Sequence, residues 1–498
     1  MKVAGTLRGC EFFEFRGICS GLGLHSVSEA LKRGPMSHTP PSQSSPGGPE
    51  PRLFDLPTPA VESSADSSAP AGGRPRCQYP QRRQVEFQPF SLDELLPPDH
   101  DARAVWEYVQ GVDLSHLYAA VRAVEGVPGR DAIDPRILLA LWLYATLDGV
   151  GSARQLAELC RDHVVYRWIC GGVSVNYHTV SDFRTAHPEL LDDMLTDSVA
   201  TLMNEGLVTL NRVAEDGMRV RASAGSDSYH RAETLAKHLA TAREQIERLK
   251  QELEQDPGTL SARQQAARRR AAREREERLK RALEEREKIA SQREARKKGS
   301  GEEARASGTD PEARRMKMAD GGTRPAYNVQ YCTDTESLIT TGVIITNLGS
   351  DAGGMAPMVQ QHVERYGKAP DEMLTDGGFS TIDDIEQVEN NHATVIYTPV
   401  KEEEKKREKG IDPFARCHGD SDIIGRWRER MGTEKAAEIY KERAASAEWT
   451  NAQARNRGLR QFVVRGLEKV RAVALWHALA NNLKRALTLR TQAALGTQ

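Results

Sequence analysis

Residues 235–253 admit one secondary structure. Leu235, Leu239, Ala242, Ile246, Leu249 and Leu253 recur at alternating steps of four and three, a heptad seam that only a helix gathers on one side. Asp256-Pro257-Gly258 then stops the helix, and a second charged helix runs from about Ser261 to Lys298. Two long helices about a tight turn predict an antiparallel hairpin over 229–298. A hairpin returns the chain to the place it left, so the segments on either side can belong to one fold.

The remaining length allows two or three domains in 498 residues. A net charge of −2 argues against a nucleic-acid partner only on average, because the charge is unevenly distributed. Residues 261–298 hold 15 Lys and Arg against 7 Glu, and residues 452–490 hold nine against one. The first run reads as a solvated helix face, with phosphate contact as the second reading. Apolar residues interleave the second run, which predicts an amphipathic helix with a basic face. Seven cysteines at 10, 19, 77, 160, 170, 332 and 417 are scattered without paired short spacing. They read as reduced thiols of a cytoplasmic protein. No continuous apolar run suggests a membrane span. Residues 1–85 are expected to be disordered, since 34–76 are rich in Pro, Ser and Gly. Met36 lies within them as an alternative start to Met1.

Residues 86–204 read as helices. Asp134 is expected to cap one that opens with Pro135. The stretch 152–172 ends in Gly171-Gly172, and a further helix opens near Asn176. This resembles a helix-turn-helix with Asn176, His178, Thr179 and Arg184 towards a DNA groove; an ordinary helical bundle is the competing reading.

Beyond 205, with the hairpin and its linker (229–315) set aside, strands and helices follow in a definite order. A strand over 207–222 carries Asp216, and a strand pair over 327–347 turns near Asp334. Next come a helix, a short strand ending at Asp376, a helix, a strand over 393–400 and a helical region holding Glu442 and Glu448. The order β-β-β-α-β-α-β-α is that of the ribonuclease H fold, in which the first and fourth strands are neighbours. Asp216 and Asp376 should therefore meet at one end of the sheet. Asp351 reads as a helix N-cap, and Asp320 and Asp334 as turn residues.

The chain resembles bacterial insertion-sequence transposases of the DDE type over about Gln88–Leu487. Asp216 in AEDGMRVRASAG, Asp376 in LTDGGFS and Glu448 in AEWTNAQARNRGLRQFVVRGLEKV carry the likeness. Arg465-Gly466-Leu467 and Asn482-Leu483 match the family's endings. Its C-terminal Tyr, Arg, Glu and basic residue would be Tyr440, Arg443, Glu448 and Arg455. Four residues separate Arg443 from Glu448, where the family usually has three, and Glu442 is the reserve for the third acid.

The resemblance implies a mixed α/β catalytic domain (205–228 and 316–490), an all-α DNA-binding domain (86–204) and the inserted coiled-coil hairpin. It implies two Mg²⁺ or Mn²⁺ ions on Asp216, Asp376 and Glu448. Arg455, Arg457 and Arg460 would bind DNA beside them, and element ends and a target duplex would be the substrates. A homo-oligomer acting at the bacterial nucleoid is also implied. A nuclease of this fold without strand transfer, and an inactive transposase-derived scaffold, are the alternatives.

Overall fold

A computed structural model describes residues 91–124, 128, 131–255 and 261–496. The N-terminal segment to residue 85, with Met36 and three cysteines, lies outside them, as does the Asp256-Pro257-Gly258 turn.

Six strands form a mixed sheet: β1 (Arg212–Arg221), β2 (Arg314–Lys317), β3 (Thr323–Asp334), β4 (Thr340–Thr346), β5 (Glu372–Leu374) and β6 (Val395–Tyr397). The long strand β3 pairs antiparallel with β1 along one edge and with β2 and β4 along the other. β5 joins β1 in parallel and β6 follows β5 in parallel. The first strand and the strand leading to Asp376 are therefore neighbours, as the order of elements predicts. This mixed sheet, flanked by many helices, is compatible with a ribonuclease H-like core. β2 is an addition, beginning inside the segment read as linker.

Helices of the amino-terminal region include α1 (Pro135–Leu147), α2 (Ala153–Asp162), α3 (Tyr177–Ala186) and α4 (Pro188–Asn204). Asp134 caps α1, its Oδ1 accepting from the Arg136 N–H at 2.8 Å. The stretch 152–172 is not one helix. At His163 the backbone is extended (φ −103°, ψ 130°), and a separate short helix, Val164–Cys170, intervenes before the left-handed Gly171.

Two long helices, α5 (Ala232–Gln255) and α6 (Ala262–Arg296), leave and rejoin the sheet region. Their feet are tied by a two-residue antiparallel ribbon, Tyr229↔Ser307 and His230↔Ala306. Leu235, Leu239 and Ala242 pack against Leu279 and Ala282. Arg243 pairs with Glu276 at 3.3 Å, and Arg275 reaches Gln245 at 3.4 Å, so the two helices run antiparallel. Ile246 and Leu249, further along the seam, are only half-buried.

Four further helices complete the parts needed below: α7 (Met355–Tyr366), α8 (Ile382–His392), α9 (Glu434–Asn456) and α10 (Leu467–Gly496). α10 departs from the expected amphipathic form. Residues 472–482 are all buried, as in a helix enclosed on every side. Several of its basic residues serve internal bonds: Lys484 pairs with Asp101 at 2.8 Å, Arg490 with Glu205 at 2.7 Å and Arg471 with Asp192 at 3.2 Å. On the sheet side, Asn482 exchanges two 2.8 Å hydrogen bonds with the Thr340 backbone. On the helical side, the Trp476 indole donates to the Arg184 carbonyl at 2.9 Å. No described helix is long and apolar enough to cross a membrane.

Candidate metal and nucleic-acid site

The register of two parallel strands places the acidic pair. Ala214 lies opposite Leu374, and Asp216 and Asp376 each follow two residues later. Alternation along an extended chain therefore aims both towards the face on which Ala214 and Leu374 lie. α9 covers that face, packing Ala436, Ile439 and Ala447 on Ala214, Leu374 and Tyr397.

Arg443 joins the two carboxylates. Its Nη2 lies 3.1 Å from Asp216 Oδ1 and 3.9 Å from Asp376 Oδ2. The second oxygen of Asp216 accepts from Asn451 Nδ2 at 2.8 Å. Asp376 Oδ1 accepts from the Gly378 N–H at 2.8 Å, and Tyr440 donates its hydroxyl to the Thr375 carbonyl at 3.1 Å. Burial raises the Asp216 carboxyl above its ordinary range, and the Asp376 charge adds to this; Arg443 and Asn451 act against it. Next to it on β1, Glu215 is wholly buried and its carboxyl is raised far more, by burial first and then by Asp384, Asp351, Asp216 and Asp376.

A hard divalent cation suits these groups. Carboxylates supply oxygen ligands, and Mg²⁺ keeps several waters, so few protein ligands are needed. Asn451 Oδ1 is a buried amide oxygen without a partner beside Asp216. The Arg443 guanidinium already supplies positive charge between the two carboxylates. Among the described residues, no three His, Cys, Asp or Glu side chains converge as a ligand set.

Glu448 does not face the pair as Arg443 does. It is exposed, one residue past Ala447, which packs on the strands. Arg443, Ala447 and Asn451 are spaced at i, i+4 and i+8, so they line one side of α9. That spacing was the available signal for Asn451, which sequence reasoning missed. Glu442 is drawn to the start of β1, where Arg212 holds it at 2.7 Å and Glu372 at 2.6 Å.

The expected DNA-facing residues divide. Asn176 and Thr179 build the cap of α3: Asn176 Oδ1 accepts from the Thr179 N–H at 3.0 Å, and its Nδ2 donates to the Thr179 hydroxyl at 2.9 Å. His178 is exposed against Tyr177. Arg184 instead points inward. It lies over the Trp142 ring at 4.6 Å and donates to the Gly151 carbonyl at 2.6 Å. Arg455 and Arg460 are exposed, whereas Arg457 is half-buried and bonds Asn481 at 3.2 Å. Asp351 is not a helix cap: α7 begins after Gly354, and Asp384 accepts from the Met355 and Ala356 N–H groups at 3.1 and 3.0 Å. Asp320 and Asp334 do hold turns, through Gly322 and Ser337.

The site thus pairs Asp216, within β1, with Asp376, just past the end of the adjacent parallel β5, on a mixed sheet compatible with a ribonuclease H-like core. Two family models then match the chain, a transposase domain (DUF772) over residues 90–186 and a transposase DDE domain over residues 416–487. Both support an insertion-sequence transposase of the DDE type. The second match contains Arg443, Glu448 and Asn451; neither contains Asp216 or Asp376. No curated protein and no solved structure matches the chain.

Proposed function

We propose that the protein binds the ends of its element and cuts and rejoins DNA with Mg²⁺ or Mn²⁺, Asp216, Asp376 and Glu448 serving as the acidic triad. The observation that carries this reading is the pair of carboxylates at equal register, sharing one guanidinium. Two bound divalent ions would activate the attacking oxygen and stabilise the leaving one.

The residues around the pair have distinct tasks. Asp216 within β1 and Asp376 just past β5 direct carboxylate oxygens to one place, and Asn451 fixes the orientation of Asp216. Arg443 balances both charges, and once they are neutralised it is free to donate to a phosphate oxygen. Glu448 stands at the rim, about 60° around α9 from Asn451 at 100° per residue, and enters the site when DNA is bound. Exposed Arg455 and Arg460, with Arg457 behind them, meet the DNA backbone. The helical region 86–204 recognises the ends through His178 and the cap formed by Asn176 and Thr179. The hairpin supports assembly of a homo-oligomer at the nucleoid.

The test is cleavage of end-bearing DNA by the full chain with Mg²⁺, followed by joining to a second duplex. Cleavage without joining means a nuclease, and binding without cleavage means a scaffold. Glu448→Gln should abolish cleavage and Glu442→Gln should preserve it. Full activity in Glu448→Gln removes Glu448 from the triad.

A further inference from the structure

A third carboxylate approaches the pair from the other face of β1. Gly217 has no side chain, and the space its Cβ would occupy is filled by Asp351: Oδ1 lies 2.2 Å from that position. Gly378 marks the second approach. A Cβ there would lie 2.8 Å from Asp376 Oδ1 and 3.6 Å from Asp351 Oδ2. The two glycines thus leave room for Asp351 to cross beside β1 and reach the neighbourhood of Asp376.

The two oxygens of Asp351 are held differently. Oδ1 accepts from Asn328 Nδ2 at 2.5 Å and from Gln330 Nε2 at 3.4 Å. Among the described residues, Oδ2, on the Asp376 side, has only Arg219 at 3.8 Å, and that guanidinium donates to the Gly349 carbonyl at 2.9 Å. Amides that fix one oxygen and leave the other available are what orient a ligating carboxylate.

Among the described residues, two buried groups on this face also lack partners. Asn328 is fully buried; its Oδ1 has no hydrogen bond and lies 3.0 Å from the same Gly217 position. Glu215 precedes Gly217 by two residues, so it shares that face. It is fully buried, and neither of its oxygens has a partner. Buried oxygens without donors, gathered beside a further carboxylate, are satisfied by a cation and its water shell.

We infer that Asp351 becomes a ligand of the divalent-metal site on its Asp376 side, directly or through metal-bound water; without a cation, no three described acidic side chains converge as a ligand set. This rests on the transposase reading and names a residue outside its triad.

Mn²⁺ binding by the full chain, followed by electron paramagnetic resonance without DNA, tests the inference. Asp351→Asn should lower Mn²⁺ affinity by about tenfold or more at unchanged metal-free melting, and Asp216→Asn should lower it as well. In the unaltered protein, carbodiimide labelling of Asp351 should fall when Mn²⁺ is added, together with that of Asp216 and Asp376. This second measurement does not depend on the variant folding. Wild-type affinity in a folded Asp351→Asn protein, or labelling of Asp351 that Mn²⁺ leaves unchanged while the other two are protected, overturns the inference alone. No Mn²⁺ protection at Asp216 and Asp376 overturns the catalytic reading on which it rests.

Discussion

Arg184 in the helical region and Arg443 on α9, beside Asp216 and Asp376, are both largely buried guanidinium groups, yet their surroundings differ in kind. Around Arg184 are an indole face, a backbone carbonyl and enclosed apolar helices, with no carboxylate of the described residues paired to it. Around Arg443 are two carboxylates, one of them 40% exposed. The first cation completes a core. The second balances charges that packing alone would not bring together. One guanidinium is enclosed by apolar packing, and the other stands between carboxylates at a partly open site.

The sharpest way to break this comparison is to remove a negative charge without changing shape. Asp216→Asn or Asp376→Asn should lower Mg²⁺-dependent cleavage by orders of magnitude while metal-free melting stays unchanged or rises, because a like charge has been removed from its neighbour. Mn²⁺ should raise the melting temperature of the unaltered protein but not of the variants. A variant that unfolds would place these carboxylates with Arg184, as parts of a core.

Trp142→Ala is the converse experiment. It removes a fully buried ring and uncovers Arg184, and should cost about 3–5 kcal/mol in denaturant unfolding. Melting unaffected by this change would show that Trp142 and Arg184 do not complete a core.

Acid provides a third, smaller effect. His477 in α10 has its pKa lowered from 6.5 to about 3 by burial, with Arg184 and Arg457 adding to the shift. The unfolded chain therefore takes up a proton below about pH 6.5 that the folded protein refuses, and stability falls as pH drops from there towards 3. His362, beside the sheet, is lowered to about 4 and acts in the same direction. His477→Gln should flatten the melting-temperature profile between pH 6.5 and 4, and an unchanged slope would assign the acid loss to other groups. The smallest effect belongs to the hairpin. Leu249→Ala, at a half-buried position, should shift unfolding by less than about 1 kcal/mol, whereas Leu235→Ala at the enclosed foot should shift it more.

What the sequence made legible follows from the range of each signal. Strand order and the equal offsets of Asp216 and Asp376 depend on local pattern and one topological rule. The hairpin follows from its seam. The identity of the side chains opposite Asp216 depends on how α9 is rotated over the sheet. The spacing of Arg443, Ala447 and Asn451 carries that information once a single anchor is known. Arg184 and Asp351 were misjudged for a different reason. Asp351 ahead of a helix reads as a cap and Arg184, in the last turn of α3, as a contact, and only the packed structure reveals a glycine-lined passage beside the first and a tryptophan beneath the second.

α10 fastens the helical region to the sheet at several points along one rigid rod, through Trp476 and Arg184 on one side and Asn482 and Thr340 on the other. A rod of this kind acts as a ruler. If end recognition resides in the helical region, the distance from the recognised bases to the cut phosphate is set by protein geometry and not by a search through flexible arrangements. Moving the recognition sequence by one base pair along the DNA would then displace the scissile position by the same step.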